Sequence, residues 1–310
     1  MKIMDYTLHQ LRVFLKVAEH QSITRASEDL FLTQPAVSIQ LKKFQEQFSI
    51  PLTEVVGRQL YVTDFGKEIA EAAQKIIDEV EAINYRTIQY RNQLAGKLKI
   101  SVASTGKYVM PYFLSDFMSQ HRGVDLVMDV TNKTFVVKAL ERNEVDFALV
   151  SVIPDQFKTN SFPLLSNKLY LVGSPKLHLK EKIGDQRKFE QYPFLFREPG
   201  SATRMAMEEF IAKNRLPTYK KMEFTSNEAL KQAVIAGLGY SVMPLIGIKN
   251  ALESNEVEII PHKGLPIVTQ WNLIWLKSKS LSPLAEAFLA HVENEHERIV
   301  NETFGWCKNY

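Results

Sequence analysis

Eight positions, Ile69, Ala73, Ile76, Val80, Ile83, Thr87, Tyr90 and Leu94, recur at alternating spacings of four and three residues. A seam of that period is what two helices share in a coiled coil. The stretch 64–95 therefore predicts one long helix, capped by Thr63 or Asp64, that either pairs with a second copy or packs along its own domain. At Leu94-Ala95-Gly96-Lys97 the helix should end, and the pattern on either side of it differs.

Ahead of it, the stretch 22–44 predicts two short helices joined by a tight turn. In the second, Val37, Leu41, Phe44 and Phe48 recur at helical spacing and mark the face toward a core. Thr33 or Gln34 can cap this helix, with Pro35 in the first turn, where a missing N–H costs no intrahelical bond. The opposite face presents Pro35, Ser38, Ile39 and Lys42, with Gln34 and Gln45 at its margins. That mixture suits base edges, thymine methyls and phosphates, although an amphipathic helical hairpin in solvent has the same periodicity. Ala26 is small enough for the two helices to cross closely. Leu8, Leu11, Phe14, Leu15 and Ala18 predict an earlier amphipathic helix packed behind the pair. The runs around Gly57-Arg58 predict a hairpin wing, with Arg58 at its tip able to reach phosphate.

Beyond residue 96 strands and helices alternate. Strands are expected at 98–103, 124–130, 146–152, 168–172, 193–196, 221–224, 240–243 and 271–276, and helices at 108–121, 134–143, from about 201, from about 227 and at 282–298. Thr225 and Glu228 have capping-box spacing. Such alternation implies a parallel sheet, here as two α/β lobes with a cleft between them. Ligands of such sheets sit beyond the C-terminal strand ends, where helix N-termini offer free N–H groups. Three turns qualify: Ser104-Thr105-Gly106, Thr131-Asn132, and 198–203 with Gly200, Ser201 and Thr203. Hydroxyls and bare backbone suit a small anion or polar metabolite, and each turn taken singly also suits ordinary helix capping.

Several function classes are disfavoured. No run reaches transmembrane length, and 1–15 is no secretory signal, so a soluble cytoplasmic protein with no membrane partner is expected. One cysteine, Cys307, excludes an intrachain disulfide and a multi-cysteine metal site. There is no Gly-x-Ser-x-Gly or His-Glu-x-x-His, and Gly237-Leu238-Gly239 lacks the rest of a dinucleotide motif. No catalytic residue, metal or cofactor is assigned. A net charge of +3 is only mildly basic, and up to Thr63 basic residues outnumber acids by one. One such unit grips DNA weakly, so strong binding requires several copies.

In this order the parts resemble LysR-type transcriptional regulators over nearly the whole chain. The most specific segment is Leu32-Thr33-Gln34-Pro35-Ala36-Val37-Ser38 after Ser27-Glu28-Asp29-Leu30, together with Gly57-Arg58 and Val62-Thr63. The runs 197–204 and 226–239 are similar to the CbbR and CysL group. The resemblance implies an α/β fold class with an N-terminal all-α winged helix-turn-helix (6–63), a long dimerising coiled-coil linker helix (64–95) and a two-lobed, periplasmic-binding-protein-like effector domain (96–310). Lobe I would span about 96–165 and 268–310, and lobe II about 166–267. It implies that Gln34, Pro35, Ser38, Ile39 and Lys42 face double-stranded DNA at a two-fold related operator. Ser104, Thr105, Thr131, Asn132, Ser201 and Thr203 would line an effector cleft. It further implies a homodimer assembling to a homotetramer and a metabolite-dependent switch, and it admits RNA polymerase as a partner. Thr53, Val55, Gln45, Ser49 and Ala202 depart from the family's usual Phe, Arg, Glu, Gly and Gly. A soluble solute-binding protein without DNA-binding activity is the competing expectation.

Overall fold

The computed structural model describes residues 5–57, 59–89, 94–177, 192–218 and 220–310. It forms two compact units, Met1–Gln93 and Leu94–Tyr310.

In the first unit, α1 (Leu8–His20) is opened by a capping box in which Thr7 and Gln10 satisfy each other's backbone N–H. Its buried stripe is Leu11, Val13, Phe14 and Val17, whereas Leu8, expected on that face, is exposed. α2 (Ile23–Asp29) and α3 (Gln34–Gln45) follow, and Thr33 caps α3 by accepting from the Ala36 N–H. Ala26 is fully buried where the helices cross. Phe44 is buried among the rings of Tyr6, Phe14 and Phe48, although Phe48 itself lies beyond the end of α3.

β1 (Thr53–Val56) and β2 (Gln59–Val62) pair antiparallel as the wing. Two departures from the family pattern meet here: Gln45 Oε1 accepts from both the N–H and the hydroxyl of Thr53, at 3.0 and 2.7 Å. α4 (Asp64–Gln89) begins beneath the wing, and Thr63 Oγ1 accepts from the Gly66 N–H. A Cβ on Gly66 would lie 2.0 Å from the Leu52 carbonyl oxygen, so this close approach requires glycine.

The heptad reading of α4 is corrected in part. Ala73 and Ile77 are buried in the core of their own unit, with Ile69 and Ala70 packed against it, and Ile77 was not on the expected seam. Ile76 and Ile83 are 40% and 60% exposed. Tyr90 lies outside the described residues. Leu94 packs beside the core of the second unit, and the sheet begins at Ala95 rather than after Lys97.

In the second unit, β3 (Ala95–Ala103) leads through a 3-10 turn (Ser104–Tyr108) into α5 (Met110–Gln120). β4 (Gly123–Thr131), α6 (Lys133–Glu141) and β5 (Phe147–Val150) follow. β3 pairs parallel with both β4 and β5. The expectation of a parallel sheet holds for these three strands and fails for the rest of their sheet. β6 (Thr159–Gly173) and β11 (Ile267–Leu276) are long strands that pair antiparallel with each other, and β11 also runs antiparallel to β5. They cross from one lobe to the other, because Leu164 and Leu165 of β6 belong to the lobe I core while Leu169 and Leu171 belong to lobe II. Midway, the register shifts between Trp271 and Asn272, where Pro163 stands opposite Asn272. Proline has no N–H for the ladder, which favours a bulge there. His296 Nε2 meets the carbonyl of the displaced Leu164.

Lobe II holds β7 (Phe194–Arg197), α7 (Ala202–Lys213), β8 (Lys221–Phe224) and α8 (Asn227–Ile235). After these come β9 (Ser241–Pro244), α9 (Leu245–Glu253) and β10 (Glu258–Ile259). β7 and β8 pair parallel, and β9 and β10 flank β6 antiparallel. Ser226, not Thr225, caps α8, its hydroxyl accepting from the Glu228 and Ala229 N–H groups. The closing helix α10 (Pro283–Phe304) returns to lobe I, where Phe288 is buried with Phe113, Phe117 and Phe147.

Candidate DNA face and effector cleft

α3 turns Val37, Leu41 and Phe44 inward, which leaves Gln34, Pro35, Ser38, Ile39 and Lys42 exposed together on the opposite side. Lys42 Nζ lies 4.0 Å from Glu46, a loose surface pair. Beside this face, a concavity of about 620 Å³ is lined by Ser22, Thr24, Arg25, Gln34, Val55 and Gln59, among others, so α2, α3 and the wing share it. Arg25, a cation on that rim, was missed from sequence because no periodic signal separates it from a solvent-facing helix charge. Val55 is 69% exposed where the family usually carries a cation. Arg58 lies outside the described residues.

Two carboxylates near this face, Glu19 and Asp29, are paired within the unit. Lys16 Nζ bridges Glu19 and Asp29 at 2.9 and 2.8 Å, and His20 adds a 3.1 Å contact to Asp29. The Lys16 hydrogen bond, then that of His20, holds the Asp29 carboxyl below its usual range. Glu19, His20 and Asp29 have the spacing of metal ligands, but the Lys16 ammonium takes the position of a cation.

In the second unit, the three expected turns converge at the strand ends. Ser104 opens the 3-10 turn after β3, and Thr105 is buried behind it. Thr131 ends β4, and Asn132 caps α6, accepting from the Phe135 N–H at 3.2 Å, so its side-chain oxygen serves ordinary capping. Ser201 is the N-cap of α7 and is buried, yet its side chain makes no capping hydrogen bond; Thr203 is buried within the first turn. Gly200 has φ +87°, and a Cβ there would lie 2.6 Å from Thr134 Oγ1. The lobes touch at this point.

Three residues that sequence reasoning passed over tie the cleft together. Arg197 is 2% exposed at the end of β7. Its Nε and Nη2 each donate to Glu198 at 2.8 Å, and its Nη1 donates to Asn227 Oδ1. Asn227 Nδ2 then donates across the cleft to Ser104 Oγ at 2.8 Å. Arg204 supports the same strand end, donating from Nη1 to the Arg197 carbonyl at 2.8 Å and to Glu223 at 2.6 Å. The Glu223 bond, with a further one to Glu208, holds the Arg204 guanidinium above its ordinary pKa. Glu198 thus occupies, in bidentate fashion, two guanidinium nitrogens of a kind that also recognise external carboxylates and phosphates. For Arg197 the sequence signals were a charge at the end of a short apolar strand and its place in the run 197–204, neither of which assigned it a role in the cleft.

A winged helix-turn-helix followed by a two-lobed domain whose strand ends meet across a polar cleft is the build of a ligand-responsive transcription regulator. Residues 8–67 match the bacterial regulatory helix-turn-helix protein, lysR family, and residues 91–297 the LysR substrate binding domain. The chain belongs to the LysR family, and it is a transcriptional regulator rather than an enzyme. The HTH-type transcriptional activator CmpR of Synechocystis sp. is 34% identical over 294 residues, 94% of this chain and 97% of that protein. The RuBisCO operon transcriptional regulator of Allochromatium vinosum is 35% identical over 96% of this chain and 98% of its own length. Among solved structures, the Synechocystis PCC6803 CcmR regulatory domain in complex with 2-PG has a TM-score of 0.60 at 28% identity, covering 65% of this chain and 98% of that one. Full-length CbnR complexed with target DNA shares the fold, with a TM-score of 0.69 at 18% identity over 93% and 99% of the two chains. The solute-binding alternative is set aside by the match at 8–67. Among the described residues, no helix is long and apolar enough to cross a membrane.

Proposed function

We propose that this regulator binds a two-fold related operator in double-stranded DNA through Gln34, Pro35, Ser38, Ile39 and Lys42, with Arg58 of the wing. A small anionic metabolite held between the two lobes switches it. The observation that carries the switch is the chain Glu198–Arg197–Asn227–Ser104. An anion that takes the Glu198 carboxylate's place on Arg197 alters the group that orients Asn227, and with it the bond between the lobes. A ligand shifts such an equilibrium only by binding one arrangement more tightly than the other. Ser104, Thr105, Thr131, Asn132, Gly200, Ser201 and Thr203 complete the cleft. The exposed Ile76 and Ile83 of α4 support a dimer through the linker helix, and pairs of dimers supply the multiple DNA contacts that the weakly charged head requires. The protein acts in the cytoplasm.

The test is capture and sequencing of genomic fragments by the purified protein at near-physiological salt, followed by footprinting with and without 2-PG, the ligand in the related regulatory domain. Enrichment of a few two-fold related sites, with a footprint that changes on adding the anion, is the expected result. Folded, oligomeric protein that enriches no site refutes the DNA reading, and a footprint unmoved by 2-PG and other phosphorylated or carboxylated metabolites refutes the switch.

A further inference from the structure

A second cavity, of about 420 Å³, shares no residue with the cleft just described. Its walls come from both lobes. Lys107 and Tyr112 belong to the 3-10 turn and α5 that follow β3, Lys231 to α8 and Lys249 to α9, and Trp306 follows the end of α10. Among the described residues, three lysines and no carboxylate line it. Two of the ammonium groups are placed by aromatic rings: Lys107 Nζ lies 5.1 Å from the Tyr108 ring centre, and Lys249 Nζ lies 5.0 Å from that of Trp306. The third, Lys231, is held at 2.9 Å by Glu228, and Glu253 stands 3.9 Å from Lys249, both from outside the lining. Neutral donors complete it in Asn250 and Thr303.

We infer that this cavity is a second anion site, for a compact, multiply charged phosphate compound that bridges the two lobes. Three converging ammonium groups, offset from behind by Glu228 and Glu253 but with no carboxylate in the lining, favour an anionic ligand that engages more than one of them. The rings of Tyr112 and Trp306 displace water from one side and strengthen those attractions. A ligand here touches α5 of one lobe and α8 and α9 of the other, so its affinity depends on how the lobes sit. By reciprocity it tunes the response of the main cleft without entering it.

The probe is inorganic pyrophosphate, titrated calorimetrically into the full-length protein at constant ionic strength. Wild type should show one saturable equivalent per chain that is assignable to this cavity. K107Q/K249Q should weaken that equivalent by roughly a hundredfold, about tenfold for each ammonium group removed. K107R/K249R, which keeps both charges, should bind within about threefold of wild type. Ser104→Ala, which cuts the bond between the lobes without touching this cavity, should shift the affinity through lobe coupling while the equivalent stays saturable. If K107Q/K249Q melts early, the single variants K107Q and K249Q replace it, each expected to bind about tenfold more weakly. Absence of saturable binding in wild type overturns the assignment. So does binding that survives in the glutamine variants, or that is lost in Ser104→Ala as completely as in them.

Discussion

Asn227 is shared between the lobes: its Oδ1 accepts from Arg197, and its Nδ2 donates to Ser104 Oγ at 2.8 Å. Both bonds come from one amide, and Arg197 is buried. Asn227→Ala therefore leaves a buried guanidinium nitrogen unpaired and cuts the bond between the lobes. Chemical denaturation should show a loss of about 2–4 kcal/mol, and the anion response of DNA binding should be weakened. A variant as stable and as responsive as wild type removes Asn227 from the switch.

Gly200 tests the contact on the other side of the cleft. Its φ of +87° is costly for any L side chain, and a Cβ would lie 2.6 Å from Thr134 Oγ1. Gly200→Ala should cost about 1–3 kcal/mol and reduce effector affinity, because Thr134 has to move away. Calorimetric titration of the effector is the readout; unchanged affinity separates the turn from the binding site.

The DNA face predicts a pattern rather than a single loss. Lys42→Ala should weaken binding across sequences and lower the salt dependence by about one unit of log–log slope per bound copy. Ser38→Ala should weaken the operator more than random DNA. Both residues are exposed, so melting temperatures should stay within about 1 °C of wild type. Fluorescence anisotropy at several salt concentrations checks both, and unchanged operator affinity rejects this placement of α3.

Ile76 and Ile83 are exposed along α4, while Ala73 and Ile77 hold the helix to its own unit. Ile76→Asp/Ile83→Asp should therefore break self-association without unfolding the head. Sedimentation velocity should show a smaller species with an intact helical circular dichroism spectrum. A double variant that sediments as wild type places the dimer interface elsewhere.

His291 predicts a pH effect. Burial first lowers its pKa below the ordinary 6.5, against the raising influence of Glu295 and Asp116, and its Nε2 is buried with no hydrogen-bond partner among the described residues. The unfolded chain thus takes up this proton before the folded one does. The stability contributed is complete above about pH 6.5 and is lost as pH falls through the lower folded value. Melting temperatures from pH 8 to pH 5 should fall less steeply for His291→Phe than for wild type; equal slopes refute the assignment.

Local patterns made much of this legible in advance. Helical spacing found the core side of α3 and therefore its exposed side, and short-range alternation found β3, β4, β5, β7 and β8. What escaped were relations whose partners are far apart in sequence. β6 was read as five residues because Pro163 and the polar Asn160-Ser161 break the strand pattern; only its pairing with β11, about a hundred residues on, makes the whole run extended. α9 escaped for a related reason, since its short apolar run beside β9 has no caps to separate the two.

The sequence by itself determined the order of parts and the chemistry each could carry, because caps, periodicity and turn residues act within a few positions. Which part of the α4 seam is already spent on its own core was decided by packing against α1. Whether the cleft holds a cation was decided by burial: Arg197, a single charge at a strand end, reaches the cleft only because folding sets it between Glu198 and Asn227 and bonds Asn227 to Ser104. Desolvation and long-range hydrogen bonding give those side chains their function, and both exist only once the lobes have assembled.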